Sequence, residues 1–316
     1  WGMGETIVKT GKFIYRHDKL FGVYITNFSC GPDSFIVEYF RREQGRKPSL
    51  TLELDNHTAD AGLDTRIEAF LDVIQTYRQL QKHGDIPQAE PFRQAKVEAK
   101  GNKLIFVDSK GEHYPLTHPK VHMLIPSMLD LASRSFAAVL RHAGIRADAV
   151  PDPTEEEYKL GLGYTSGKEC LPAIITTGSL MKYLQERKDD DEILVYFMPG
   201  DSGPCRFGSY YVMMQNVVEK QRIPDVAFLS LSQEDGYMGF TMQTTLRLWQ
   251  VIITTDVLEN IYAALLVLAE DREKALEVYN ELSEELIETI EHNSWSEVEK
   301  VLERGAERLK ALPKRA

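Results

Sequence analysis

Three cysteines are the side chains of this sequence whose type and setting could carry chemistry. Cys30, Cys170 and Cys205 each lie in a turn that contains glycine and proline. A cysteine without a task usually packs in the core as a small hydrophobic residue, whereas these three are predicted to lie in loops. If folding gathers them, three thiolates could hold a metal ion or an iron–sulfur cluster and leave one position open for a substrate oxygen. The alternative is three unrelated surface cysteines.

The predicted elements place these turns where ligands commonly bind. Apolar runs at 20–28 and 193–198 predict buried strands, which Cys30 and Cys205 follow, and Cys170 directly precedes a helix predicted over 171–186. In open parallel sheets, ligands collect beyond the carboxyl ends of the strands. A helix N-terminus there favours the thiolate form of cysteine. Direct ligands of one cubane should lie within ~6–7 Å of one another.

The alternation of strands and helices predicts an α/β fold with two Rossmann-like parallel-sheet domains joined by a β-hairpin region, followed by a C-terminal helical segment. We expect a first domain over 1–92, a hairpin connector over 93–120, a second domain over 121–255 and helices over 256–316. Asp33 and Asp256 are predicted helix N-caps. The acidic stretch 152–157 is predicted to be a connecting loop.

Charge and cysteine content narrow the class of protein. The net charge is −11, which argues against nucleic-acid and membrane-surface binding because both need a basic face. Three widely spaced cysteines do not make a disulfide framework, and no sufficiently long apolar stretch or signal peptide stands out. We therefore expect a cytoplasmic protein. The opening Trp1 leads us to expect part of a longer chain, and the apolar C-terminal helices could serve as packing elements or as an oligomer face.

Other residues are weaker candidates for a site. His57 and Asp60, in a loop after a predicted strand, could act as general acid and base or simply cap the loop. Arg206 could pair with an anionic cluster or a phosphate-bearing substrate, or form a structural salt bridge. The segment 161–168 resembles a nucleotide-binding P-loop, but Leu162 stands where glycine is needed and Glu169 replaces the Ser or Thr that would bind Mg²⁺.

Four motifs together resemble the 2-hydroxyacyl-CoA dehydratase superfamily. They are YITNFSCGPDSF (24–35), DNHTADAGLDTRIEAFLDVI (55–74), GKECLPAIITTG (167–178) and GPCRFGSYY (203–211). The resemblance is closest to the dehydratase-like C-terminal region of long CoA-substrate-specific enzyme activase proteins. Double-cubane cluster proteins are related to the same superfamily.

The resemblance implies an oxygen-sensitive iron–sulfur protein with Cys30, Cys170 and Cys205 as ligands and Arg206 beside the cluster. A [4Fe-4S] cluster is favoured over an [8Fe-9S] double cubane. It further implies low-potential electron transfer from an ATP-dependent activase module or subunit, and dehydratase-like or reductase-like chemistry on a CoA thioester or other small molecule. The Cys30 motif precedes the other two, the reverse of the order expected in a simple dehydratase subunit, so Cys30 could serve a different cluster. The alternative is a non-catalytic interaction or scaffold module of a larger activase protein.

Overall fold

The fold is mixed α/β with two separate parallel sheets. A computed structural model describes residues 2–55, 60–86, 92–100, 103–187, 191–200, 203–231 and 239–315. Parallel strands of this kind need crossover connections, which helices supply here. The α/β class predicted from the sequence is therefore confirmed.

The first unit is a small two-stranded parallel sheet with helices packed beside it. Strands β1 and β2 pair from Gly22↔Ser49 to Thr26↔Glu53, and Tyr24 and Phe40 are buried together in the core of this unit. The elements in chain order are α1 (Gly2–Arg16), β1 (Gly22–Thr26), α2 (Asp33–Gln44), β2 (Ser49–Glu53) and α3 (Asp60–His83).

Helix α2 begins at Asp33, so the prediction that Asp33 is its N-cap is wrong. Pro32 occupies the N-cap position, and no side chain caps the helix. The carboxylate of Asp33 instead accepts hydrogen bonds from Tyr24 and Thr26 of β1. Asp33 thus ties the start of α2 to the neighbouring strand, which satisfies its oxygens better than the exposed helix end would.

The predicted hairpin forms, and a third strand extends it. Strands β3 (Lys96–Lys100) and β4 (Lys103–Val107) are antiparallel, and β5 (His113–Pro115) pairs with β4. The turn residues 101 and 102 lie outside the described part of the chain. Phe106 of β4 is fully buried, so this sheet joins the main core.

The second unit is a four-stranded parallel sheet with helices on both faces. The strand order is β7-β6-β8-β9, and β6, β8 and β9 are buried along their whole length. Such continuous burial is expected of a parallel sheet covered on both sides. Its elements are β6 (Val121–Ile125), α4 (Asp130–His142), β7 (Ala147–Ala149), α5 (Glu155–Tyr164), α6 (Leu171–Glu186), β8 (Ile193–Phe197), α7 (Tyr210–Lys220) and β9 (Val226–Leu229).

The prediction of a loop over the acidic stretch 152–157 is wrong in its second half, where helix α5 begins. Thr154 caps α5 and forms a reciprocal capping box with Glu157. Acidic side chains in a first turn also interact favourably with the helix dipole. The carboxylates at 155–157 therefore favour the helix that the sequence interpretation overlooked.

Gly161, the first glycine of the P-loop-like segment, serves helix packing instead. Gly161 and Gly163 lie within α5, and a Cβ atom on Gly161 would lie 2.0 Å from the carbonyl oxygen of Ile174 in α6. Gly178 of α6 is equally tight, because its Cβ would lie 1.7 Å from the carbonyl oxygen of Glu157. Because residues 161–164 are helical, this part of the segment does not form the loop that a P-loop wraps around a phosphate.

The C-terminal helices begin earlier than predicted. Helix α8 (Met242–Leu268) is capped by Thr241, so Asp256 lies in its middle and the prediction of an N-cap there is wrong. The helix runs on because no glycine or proline interrupts residues 242–268. By length and composition, α8 is long and apolar enough to cross a membrane. It is followed by α9 (Arg272–His292) and α10 (Trp295–Lys310), and all three pack on the α4 face of the second sheet.

Candidate functional site

Each cysteine lies shortly before a helical segment, as predicted. Cys170 is the N-cap residue of α6, and its side chain makes no capping hydrogen bond. Cys205 is the N-cap residue of a short 3-10 turn (Arg206–Ser209) that leads into α7. Cys30 lies three residues before α2. Cys30 and Cys205 are exposed, and Cys170 is half-buried.

The Cys205 and Cys30 loops contact each other through Arg206. Its guanidinium nitrogen Nη1 lies 3.4 Å from the carbonyl oxygen of Gly31 and donates a hydrogen bond to it. Arg206 is adjacent in sequence to Cys205, and Gly31 to Cys30. The contact therefore joins two loops that are 175 residues apart in the chain.

The Cys170 loop contacts the start of α7 through Tyr210. The sulfur of Cys170 lies 2.6 Å from the Tyr210 hydroxyl. Tyr210 is buried, and its ring stacks on Phe35 of α2 at a centroid distance of 5.9 Å. This ring pair anchors the first unit against the second beside the cysteine loops.

The Cys30 and Cys170 loops are joined by a charged bridge. The carboxylate of Glu53, at the end of β2, accepts a hydrogen bond of 3.0 Å from Ser29. The same oxygen forms an ion pair with Lys168. Ser29 precedes Cys30, and Lys168 lies two residues before Cys170. Each pair of cysteine loops is thus connected, directly or through one intermediate side chain.

Electrostatics support the proximity of these groups. Burial is the main cause that raises the pKa of Tyr210, followed by its hydrogen bond with Cys170. Negative charge on Cys170 and Cys205 acts in the same direction, and Arg206 opposes it. Cys205 is therefore within electrostatic reach of Tyr210. At neutral pH the phenol keeps its proton and can donate it in a hydrogen bond to a thiolate.

The hydrogen bond from Lys168 is the main cause that lowers the pKa of Glu53. The hydrogen bond from Ser29 acts in the same direction, while partial burial opposes both. The Glu53 carboxylate is therefore ionised at neutral pH and remains able to bridge the two loops.

The backbone around Cys30 is strained. Phe28 and Ser29 have positive φ angles of 60° and 50°, and Gly31 has a φ of 60°. A bulky residue such as Phe28 rarely adopts this left-handed conformation, and such strain clusters at functional sites. The conformation turns the Cys30 loop toward the second unit, where Gly31 meets Arg206.

The remaining predicted site residues are less informative. His57 lies outside the described residues. The prediction of a loop at Asp60 is wrong, because Asp60 is the first residue of helix α3. Within the described ranges, no group of three or more His, Cys, Asp or Glu side chains is arranged to hold a single metal ion. Ligands of a cluster are farther apart than ligands of one ion because each binds a different iron.

A buried polar cluster that sequence reasoning missed lies at the opposite end of the second sheet. His122 of β6 contacts Glu192 at 2.7 Å through Nδ1 and Asp148 at 2.8 Å through Nε2. Tyr183 and Arg146 also contact Glu192, at 2.8 and 3.0 Å. His122 and Glu192 lie at the amino ends of their strands, so we interpret this cluster as structural. A histidine within an apolar strand was the only signal for it.

Comparisons with family models, with curated proteins and with solved structures gave no match. The resemblance to 2-hydroxyacyl-CoA dehydratases therefore stays a prediction based on the four motifs, and the contacts among the cysteine loops stand beside it as an independent observation.

Proposed function

We propose that this chain binds an iron–sulfur cluster and takes part in low-potential electron transfer to a CoA thioester or another small molecule. The single observation that supports this most is the set of side-chain contacts connecting the Cys30, Cys170 and Cys205 loops. Unrelated surface cysteines would have no reason to share such contacts. The proposal includes the finer fold assignment of two Rossmann-like domains and an ATP-dependent activase as the electron donor.

The residues around the cysteines suit an anionic cluster. Cys170 and Cys205 stand at helical N-termini, where the positive potential of the helix dipole favours negative charge. Arg206 adds a positive charge directly beside Cys205. When bound, a [4Fe-4S] cluster supplies one-electron transfer at a potential tuned by hydrogen bonds to its sulfurs.

The chain's own residues would bind and orient the ligands. With Cys170 as a thiolate ligand, the Tyr210 hydroxyl, 2.6 Å from its sulfur, would donate a hydrogen bond to it. Arg206 holds the backbone of the Cys30 loop through Gly31. Lys168 and Glu53 keep the Cys170 loop against the end of β2. Because these contacts need no cluster, the loops are already ordered for binding.

Iron and sulfide analysis tests the proposal. Protein purified without oxygen, or reconstituted with iron and sulfide, should be brown and contain about four irons and four sulfides per chain. Single substitutions Cys170→Ser and Cys205→Ser should each remove most of the iron while circular dichroism shows a folded chain. If Cys30→Ser alone retains full iron, Cys30 serves another site. Well-folded wild-type protein that remains free of iron after reconstitution would contradict the proposal.

The second candidate function, a non-catalytic scaffold module, is favoured by the exposed apolar face of α8. Met242, Leu246, Ile253 and Val257 recur on one side of the helix, and each is more than half exposed. Rows of this kind mark interaction surfaces. A chain that binds no iron and whose cysteine variants keep wild-type stability and self-association would favour this function over the first.

A further inference from the structure

A cavity lies at the carboxyl end of the second sheet, on the face opposite the Cys170 and Cys205 turns. It has a volume of about 380 Å³, within the range of small-molecule sites. Phe197, at the end of β8, belongs to the core beside α4 and α8, whereas the next residue, Met198, belongs to the core beside α6 and α7. The cavity therefore lies beside α4 and α8, and the Cys170 and Cys205 turns lie on the other side.

The wall of this cavity is apolar and aromatic. Phe136, Phe197 and Phe240 line it together with Leu248 and Trp249. Such a surface favours the hydrocarbon part of a ligand because its burial removes apolar area from water.

Among the cavity-lining residues that the structure describes, the charged ones are all acidic. Asp256 and Glu259, one turn apart on α8, line it without a lysine or arginine. Burial is the main cause that raises the pKa of Glu259, and negative charge on Asp130 and Asp152 raises it further. The acidic groups of the described lining therefore disfavour an anionic ligand and favour a cationic one.

A strained turn forms one edge of the cavity. Leu129 has a φ of 91°, which is an outlier for a bulky residue. Buried Ser133 holds the turn, because its hydroxyl accepts a hydrogen bond of 2.8 Å from the Met128 N–H and donates one of 3.0 Å to the carbonyl oxygen of Pro126. Strain that the fold maintains in this way is typical of ligand sites.

We propose that this cavity binds a small molecule with an apolar body and a cationic ammonium group. The apolar body packs among the phenylalanines and Leu248, and the ammonium lies by the carboxylates of Asp256 and Glu259. Aromatic faces such as that of Trp249 also attract cations. The polyanionic phosphates of CoA do not suit this cavity, so it is distinct from any thioester site near the cysteines. The inference does not depend on the proposed function.

The test compares three probes of equal length with the full chain: hexan-1-amine, hexan-1-ol and hexanoate. At neutral pH the amine is protonated, as lysine is. Isothermal titration calorimetry on air-exposed protein should show that the amine binds at least about tenfold more tightly than the alcohol. Hexanoate should bind most weakly. The experiment needs no iron, so its failure and that of the cluster proposal are distinguishable.

Variants locate the binding. Asp256→Asn combined with Glu259→Gln should reduce amine affinity to that of the alcohol. Ala132→Leu, which fills part of the cavity, should weaken the amine and the alcohol alike. The matched control Glu273→Gln combined with Glu277→Gln removes the same charge from α9 and should change nothing. The proposal is overturned if no probe binds the folded wild type, if all three bind equally, or if the amine preference survives in the Asp256 and Glu259 variant.

Discussion

Replacing Gly178 by alanine tests the packing of the helix that presents Cys170. Helix α6 begins at Leu171, directly after that cysteine, and it crosses α5 at Gly178. A Cβ atom at this position would lie 1.7 Å from the carbonyl oxygen of Glu157, and ordinary contacts begin near 3.4 Å. The obstacle is backbone, so no side-chain rotation relieves the clash and the two helices must separate.

The expected magnitude follows from two opposing contributions. Overpacking a close-packed contact costs about 1–3 kcal/mol, and the upper end applies here because backbone must move. Alanine has a higher helix propensity than glycine, which offsets about 1 kcal/mol of this cost. We therefore expect Gly178→Ala to lower the free energy of unfolding by about 2 kcal/mol, measured by urea denaturation followed by circular dichroism.

Gly163→Ala is the matched control. Gly163 lies on the partner helix α5, and nothing lies within 4 Å of its Cβ position. Without a clash, alanine should leave stability unchanged or raise it by about 0.5 kcal/mol. If Gly178→Ala proves as stable as the wild type or as Gly163→Ala, the close approach of the two helices is refuted.

Three further predictions concern single side chains. Tyr210→Phe removes the hydroxyl next to Cys170 and should lower the free energy of unfolding by about 1 kcal/mol; an unchanged value in urea denaturation would show that this hydrogen bond is not formed. Burial tends to lower the pKa of His122, but its hydrogen bonds to Asp148 and Glu192 outweigh burial and hold it above the ordinary value of 6.5. The contribution of protonated His122 to the free energy of unfolding is therefore complete below about pH 6.5 and is lost as pH rises through its folded-state pKa. Urea denaturation at a series of pH values should show this loss in the wild type and not in His122→Gln. Leu246→Lys, at a position 58% exposed on α8, should change monomer stability by less than about 0.5 kcal/mol, and reduced self-association in analytical ultracentrifugation would identify the α8 face as an interface.

Local patterns predicted β8 and α6 of the second unit well, whereas the short strand β7 and helix α5 were not predicted. The apolar run at 193–198 and the proline at the start of α6 are clear local signals because turn residues bound each of them. Helix α5 could also have been found, since Thr154 and Glu157 have the spacing of a capping box. The acidic character of the stretch obscured it. In α8, the uniformly apolar composition gives no signal for the start of the helix at Met242, so Asp256 was wrongly predicted as its N-cap.

The meeting of the cysteine loops could be expected only in outline. The sequence placed each thiol before a helix. Which loops come together depends on how α2 packs on α7, and that depends on contacts such as Phe35 with Tyr210, 175 residues apart in the chain. No local pattern encodes a pairing of that range. The cavity beside α8 escaped notice for the same reason, since its walls come from several distant elements.

Different interactions hold the Cys205 side and the Cys30 side of the cysteine region in place. Near Cys205, the buried rings of Phe35 and Tyr210 provide an apolar anchor that dissolved salt does not weaken. Near Cys30, the partly exposed pair of Glu53 and Lys168 makes the connection, and mobile ions screen such pairs over about 8 Å at physiological ionic strength. Concentrated salt should therefore loosen Cys30 from Cys170 first, with the ring pair acting as a pivot, while the hydrophobic cores stay intact.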